Sequence, residues 1–263
     1  RKPVRFSPPD GTSPDVQRSA SSLMRILLTE DSSLLGAELS STLSDTHQVS
    51  ALPAGSDLTN ADAMWSAVRA VDAVVHTGVS LSVAADGIGY DAERAVLDEA
   101  TRGMHVLLDA VTQTGIRRFI YCSTLELFST VPHDRYISEH WQPDPGTDML
   151  TLSRHLAEQV TREFARERAI TITILRLGRL RREEDVLADE DPDLMWLDRR
   201  DAAVAVERAV DRDQSQQLNW QSRWKVHHIC ARPPHPKFLL DGAGGLGFEP
   251  VYNFAAAWEG DSA

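Results

Sequence analysis

Short apolar runs alternate with amphipathic stretches along most of this chain. Met24–Leu28 is an apolar run that ends at Thr29 and passes through the polar Glu30-Asp31-Ser32-Ser33. It then opens into Leu34–Ser44, where Leu34, Leu35, Leu39 and Leu43 share one side at helical spacing. That is a strand, a tight turn and a helix. The pattern then repeats. A strand is predicted over about 48–52, and a helix over 61–70 entered at Asn60, a good N-cap. A strand over 72–77 and a loop over 78–90 lead to a long helix over about 91–114, closed by Gly115. Arg118–Ser123 reads as a strand, 124–147 as irregular, Met149–Arg166 as a helix and Thr171–Arg176 as a strand.

Strand–helix alternation of this kind predicts the α/β class, a Rossmann-like doubly wound parallel sheet with helices on both faces. Right-handed crossovers gather the strand C-termini on one edge, where a ligand would bind. After Arg176 the pattern loosens. The stretch 179–191 is highly charged and is expected to be exposed, Asp201–Val210 has helical period, and Trp224–Cys230 alternates as a strand. Three parts follow: a flexible tail over 1–23, rich in Pro, Ser, Arg and Asp; a nucleotide-binding-type domain over 24–178; and a small C-terminal substrate-domain remnant over 179–263 packed on the first.

Composition narrows the partners. A net charge of -12 argues against nucleic acid or an anionic membrane surface. No apolar run approaches the roughly 18–20 residues of a membrane-spanning helix, and the basic N-terminus lacks the apolar core of a secretory signal. Two cysteines, Cys122 and Cys230, suit a reducing compartment, so a cytoplasmic location is expected. No metal is expected: His227 and His228 adjoin on a strand and face opposite sides, and no paired Cys/His spacing occurs.

Several segments, taken in order, resemble the extended short-chain dehydrogenase/reductases, the NAD-dependent epimerase/dehydratase family. The resemblance spans roughly Met24 to Phe254. RILLTEDSSLLGAEL (25–39) stands where the family has its G-x-x-G-x-x-G turn. SDLTN places Asp57 and Leu58 where the adenine is contacted. VDAVVHTG, with His76, Thr77 and Gly78, looks like the fourth-strand motif. RRFIYCST puts Thr124 at the catalytic Ser/Thr position, and MLTLSRHLAEQ looks like the helix bearing Y-x-x-x-K. TILRLGRL and LGFEPVY resemble the later landmarks. The resemblance implies a cofactor site at Glu30, Ser33, Leu34, Leu35, Gly36, Asp57, Leu58, His76, Thr77 and Gly78, and catalysis at Thr124 and Arg154.

The sequence departs from that pattern where the chemistry lies. The glycine positions are Glu30, Ser33 and Gly36. The catalytic Tyr position is Leu150, the Lys position Arg154, and the Asn position of the long helix Ala100. The second strand ends in Leu52-Pro53, with no acid for a ribose hydroxyl. A turn glycine lets backbone amides approach the pyrophosphate. Glu30 and Asp31 instead set negative charge there, repelling a phosphate by about 1–4 kcal/mol per close pair. Glu30 or Asp31 is expected to take the phosphate's place at the helix N-terminus. Leucine has no proton to give as general acid, and arginine neither deprotonates usefully nor matches lysine in geometry.

Local structural roles remain open beside the functional ones. Asp57 contacts adenine or caps the segment before the next helix. Thr124 faces substrate or satisfies strand-end backbone. The turn is a cofactor site or a plain strand–helix turn. Two functions are therefore carried. One is a divergent member without standard hydride chemistry: a ligand-binding, regulatory or scaffold protein with no cofactor or a weakly held NAD(P), a nucleotide or sugar nucleotide as ligand, and a homodimer admitted. The other is an active epimerase, dehydratase or reductase using Thr124, Arg154 and an acid from the 134–139 loop.

Overall fold

The computed structural model describes residues 23–78, 89–187, 190–212 and 219–258. The tail expected over 1–23, apart from Leu23, and most of the loop 78–90 lie outside the described residues.

The first strand–turn–helix unit is β1 (Arg25–Leu28) and α1 (Leu34–Ser44). It is followed by β2 (Gln48–Ala51), α2 (Ala61–Val68) and β3 (Ala73–His76). The long predicted helix is a helix interrupted. α3 (Tyr90–Asp98) runs through a π-helical turn, Glu99–Gly103, into α4 (Met104–Gln113). Then come β4 (Arg118–Thr124), a 3₁₀ turn at Leu125–Phe128, α5 (Met149–Glu167) and β5 (Thr171–Leu177). The remainder holds β6 (Arg179–Arg181), β7 (Trp196–Asp198), α6 (Arg199–Asp211), α7 (Trp220–Arg223) and β8 (Trp224–Ile229), with short helices α8 (Asp241–Gly244) and α9 (Ala255–Trp258).

Six strands form one parallel sheet in the order β2-β1-β3-β4-β5-β8. The order reverses between β1 and β3, and that switch point is where a doubly wound sheet opens a crevice. In the dinucleotide-binding order a further strand flanks the second one. Here β2 is the edge among the described residues, because the chain passes from β2 to α2 and then to β3, on the far side of β1, with no strand added beside β2.

Alternation along each strand builds two cores. Ile26 and Leu28 of β1, Val75 of β3 and Leu175 of β5 face a layer that includes Leu35, Leu39 and Leu43 of α1. Ala202, Ala203, Val206 and Ala209 of α6 complete that layer; their small side chains let α6 lie close against α1. Leu27, Val74, Phe119, Tyr121 and Ile174 face the other way, toward Met104, Leu107, Leu108, Val111 and Ala157.

The described residues beyond 178 share the first of these cores: β8 joins the main sheet beside β5, and Phe238 and Phe248 pack into it. Of the stretch 179–191, expected to be exposed, Arg179, Glu184, Asp185, Leu187 and Asp191 are exposed, but its first residues are tethered. Arg179–Arg181 pairs in parallel with Trp196–Asp198. Its arginines find carboxylates: Arg179 with Glu126 and Asp193, Arg181 with Glu190, and Arg182 with Glu38. Alternation explains the pairing, since Leu180 sits against the buried core while its charged neighbours find partners.

Candidate cofactor cleft and active site

The turn after β1 is organised by Glu30. Its carboxylate accepts hydrogen bonds from Ser32 Oγ (2.6 Å) and from the Ser33 amide (2.5 Å). Ser33 is the N-cap of α1, and its own hydroxyl accepts from the Gly36 amide at 3.0 Å. Burial works against ionising Glu30, but the hydrogen bonds from Ser32 and Ser33 outweigh it and hold its pKa below the usual range. A carboxylate thus sits at the positive end of α1, bonded to the amide of its N-cap, Ser33. Gly36 is needed for packing. A Cβ there would lie 2.6 Å from both Asp31 Cα and the Glu30 carbonyl oxygen. Leu35 is buried in the core, and Leu34 faces solvent.

Asp57 is exposed and folds onto its own backbone. Its Oδ1 accepts from the Thr59 amide (2.8 Å) and hydroxyl (2.7 Å), which lower its pKa. That is an Asx turn leading to Asn60, the N-cap of α2, while Leu58 is buried beneath it.

At the end of β3, His76 is buried and stacks on Tyr121, with ring centroids 5.4 Å apart. Its Nδ1 lies 2.8 Å from Thr29 Oγ1, which also accepts from the Thr77 amide at 3.2 Å. Burial, reinforced by the Arg154 charge, lowers the His76 pKa to about 3. The ring is therefore neutral, and its tautomer sets which of His76 and Thr29 donates. This network ties β1 to β3 across the switch point.

Arg154, on α5, reaches over the same edge. Its guanidinium donates to the carbonyl oxygens of Thr77 (3.1 Å) and Cys122 (2.8 Å), bridging the ends of β3 and β4. It rests on Gly78, whose φ of +82° suits glycine, and a Cβ at Gly78 would fall on the guanidinium itself. Leu150, one turn earlier on α5, packs half-buried against the second core. Ala100 is buried within the π-helical turn. Beside it Glu99 has a raised pKa, caused first by burial and opposed by Arg154.

Thr124 ends β4 and caps the 3₁₀ turn: its hydroxyl accepts from the Glu126 amide at 3.1 Å. Thr124 and Arg154 are brought to the same sheet edge, since Arg154 holds Cys122 two residues earlier. Asp57 lies at a surface turn, its Oδ1 engaged by Thr59.

Sequence reasoning missed what lies under this edge. Ser123 Oγ donates to Glu158 Oε1 (2.6 Å), and Arg176 grips both oxygens of Glu158, with Nε to Oε1 at 3.0 Å and Nη2 to Oε2 at 2.7 Å. All three are buried. A charge inside the otherwise apolar strand TITILRL was the available signal, because a buried arginine demands an anion. Glu158, one helical turn after Arg154, was the acid in reach.

With this geometry in view, the relatives are informative. A profile described as the NAD dependent epimerase/dehydratase family matches residues 21–184. The chain belongs to this family. A search of curated proteins returned no significant match. Among solved structures, family-like folds recur at low identity. Glucuronic acid dehydrogenase from Chromohalobacter salexigens superposes with a TM-score of 0.70 at 17% identity, over 91% of this chain and 88% of that one. Uronate dehydrogenase from Agrobacterium tumefaciens, a mutant complexed with NAD, gives 0.72 at 17% identity over 91% and 89%. UDP-N-acetylglucosamine 4-epimerase from Bacillus cereus gives 0.66 at 18% identity over 91% and 97%. These likenesses establish the Rossmann-like fold of this family member. Among its described residues, no helix is long and apolar enough to cross a membrane.

Proposed function

We propose that this member of the NAD-dependent epimerase/dehydratase family works without the family's hydride chemistry, as a ligand-binding, regulatory or scaffold protein. The observation that carries this reading is the pair Leu150 and Arg154. The residue at the general-acid position packs as a hydrocarbon against the core, and its partner is spent on two backbone carbonyls. No side chain at that position can deliver or take a proton.

The residues at the crevice do not fit NAD as they stand. Glu30 puts negative charge where a pyrophosphate would lie, β2 ends without an acid for the ribose, and the Arg154 guanidinium covers Gly78. The ligand in this reading is a nucleotide or sugar nucleotide, the class to which the epimerase neighbour's name points. Residues 179–263 would supply the substrate side of the site, and a homodimer fits the same reading.

A second reading is favoured by the likeness to dehydrogenases and an epimerase. It keeps turnover and assigns it to Thr124 and Arg154 with an acid of the 134–139 loop. Thr124 is engaged as a cap, and Glu139 already accepts from the Gly242 amide (3.1 Å). Assays of the full chain with uronic acids and UDP-sugars, with NAD+ or NADP+ supplied, separate the two. We expect no turnover above a protein-free control. Sustained turnover that is lost in Thr124→Ala would overturn the proposal in favour of the second reading.

A further inference from the structure

We infer that the dinucleotide crevice of this chain is closed from within by two of its own side chains, Glu30 at the amino end of α1 and Arg154 across the ends of β3 and β4, on a framework otherwise still shaped to receive a dinucleotide. The inference rests on the proposed absence of hydride chemistry but goes further. It states that the crevice is blocked rather than dismantled, and it names the two residues that block it.

Two independent contacts support it, one on each side of the switch point. On the β1 side, Glu30 takes the Ser33 amide and sets a carboxylate at the N-cap of α1, the positive end of an eleven-residue helix. Gly36 still permits the close approach of α1 to the turn. The helix terminus is thus intact, and a carboxylate already answers its dipole. A second anion arriving there would meet that carboxylate at short range.

On the β3 side, the Arg154 guanidinium lies directly on Gly78. Gly78 has no side chain, and the three atoms nearest to where a Cβ would stand all belong to that guanidinium. Two carbonyls hold the group in place, those of Thr77 and Cys122. It covers the floor of the crevice with a planar cation bonded to the sheet edge. Behind both residues, the Thr29–His76–Thr77 network and the buried Glu158–Arg176 pair keep the strand ends in register. The Thr29–His76 and Glu158–Arg176 hydrogen bonds are made without either blocking side chain.

The two residues act differently, and the difference can be tested. Glu30 blocks by charge. Glu30→Gln keeps an amide oxygen for the Ser33 N–H and removes only the charge. Arg154 blocks by volume, so Arg154→Ala clears it. Binding of NADH to the full chain is followed by nucleotide fluorescence and by calorimetry, for wild type, each single variant and the double variant. Thermal melting of every variant shows whether it is folded. Where Arg154→Ala does not fold, Arg154→Lys, which ends in a smaller head group, carries the same test.

The expected result is no saturable binding by wild type up to about 1 mM, and binding by the double variant at least about tenfold tighter than wild type. Glu30→Gln alone should give a smaller gain that grows as salt is lowered, because a charge repulsion is being relieved. Wild-type binding in the low micromolar range would overturn the inference. So would a folded double variant that binds no better than wild type. Wild-type binding without turnover defeats only this inference, whereas wild-type turnover defeats the proposed function.

Discussion

Two glutamates mark the two halves of the crevice, and they are held in opposite ways. Glu30 sits in a half-open turn, where a hydroxyl and a backbone amide satisfy it. Glu158 is buried beneath the sheet edge, locked between Ser123 and both ends of the Arg176 fork. A turn at the surface can exchange glycine for glutamate at little cost to the fold, because water and local donors absorb the new charge. A buried ion pair cannot change one member without stranding the other. On the proposed reading, that contrast explains how a chain can keep a doubly wound scaffold while the residues at its crevice change.

The sharpest way to break that comparison is to remove Glu158. Glu158→Ala leaves Arg176 buried without an anion, and its Nη1 already has no described acceptor. The expected loss of stability is about 3–5 kcal/mol, read from urea or thermal unfolding. Replacing both partners together, Glu158→Leu with Arg176→Met, should recover most of it. Equal losses for the single and double changes would mean that the pair is not what holds this region.

Acid offers the next test. Burial is the leading cause that depresses three histidines, His76 and His228 to about 3 and His227 to about 4. The unfolded chain, with histidines near 6.5, then binds more protons than the folded one between about pH 6.5 and the folded values. Stability is fully present above pH 6.5 and falls as the pH drops through that window, by on the order of 1 kcal/mol per pH unit for each histidine. Unfolding midpoints at pH 7.5, 6 and about 5 measure the slope. His228→Phe, beside Phe128 and Phe238, should flatten it. A flat profile from about pH 7 to 5 would show that these rings are not held neutral.

A third change tests the C-terminal region as part of the same body. Asp201 is buried on α6 and accepts both the Val251 and Tyr252 amides at 2.9 Å. Asp201→Ala strands two donors and should cost about 1–3 kcal/mol. If residues 179–263 share a core with the sheet, the loss appears in the single unfolding transition of the whole chain, not as a separate early one.

Much of this was legible in the sequence, and the limits have physical causes. Strands and helices followed from hydrophobic period, since core positions of β1, β3 and β5 alternate and those of α1 recur at helical spacing. The Glu30 turn was legible because a charged residue stood where close backbone approach needs none. The role of Glu158 was not, because only the fold brings 123, 158 and 176 together. The pairing of Arg179–Arg181 with Trp196–Asp198 was hidden for a related reason. A run so rich in charge reads as solvated until Glu126 and Glu38 arrive from distant segments, and Glu190 and Asp193 fold back from its own far end. The π-helical turn at Glu99–Gly103 leaves no mark on the hydrophobic period, because Ala100, Gly103 and Met104 are buried as an uninterrupted helix would bury them.

The smallest effects test the other half of the comparison. Ser33→Ala removes the hydroxyl that meets the Gly36 amide and should cost about 1 kcal/mol. Glu30→Gln keeps the acceptor and loses only the favourable charge at the end of α1, for about 0.3–1 kcal/mol. Both should leave the unfolding transition as steep as in wild type. The order matters more than either value. If Glu30→Gln costs as much as Glu158→Ala, then Glu30 is a structural anchor, and its replacement of glycine cannot be treated as a change confined to the cofactor-facing surface. If Glu30→Gln is nearly neutral while Glu158→Ala unfolds the chain, the fold and the crevice answer to separate residues. The turn was then free to change its chemistry while the sheet beneath it stayed in place.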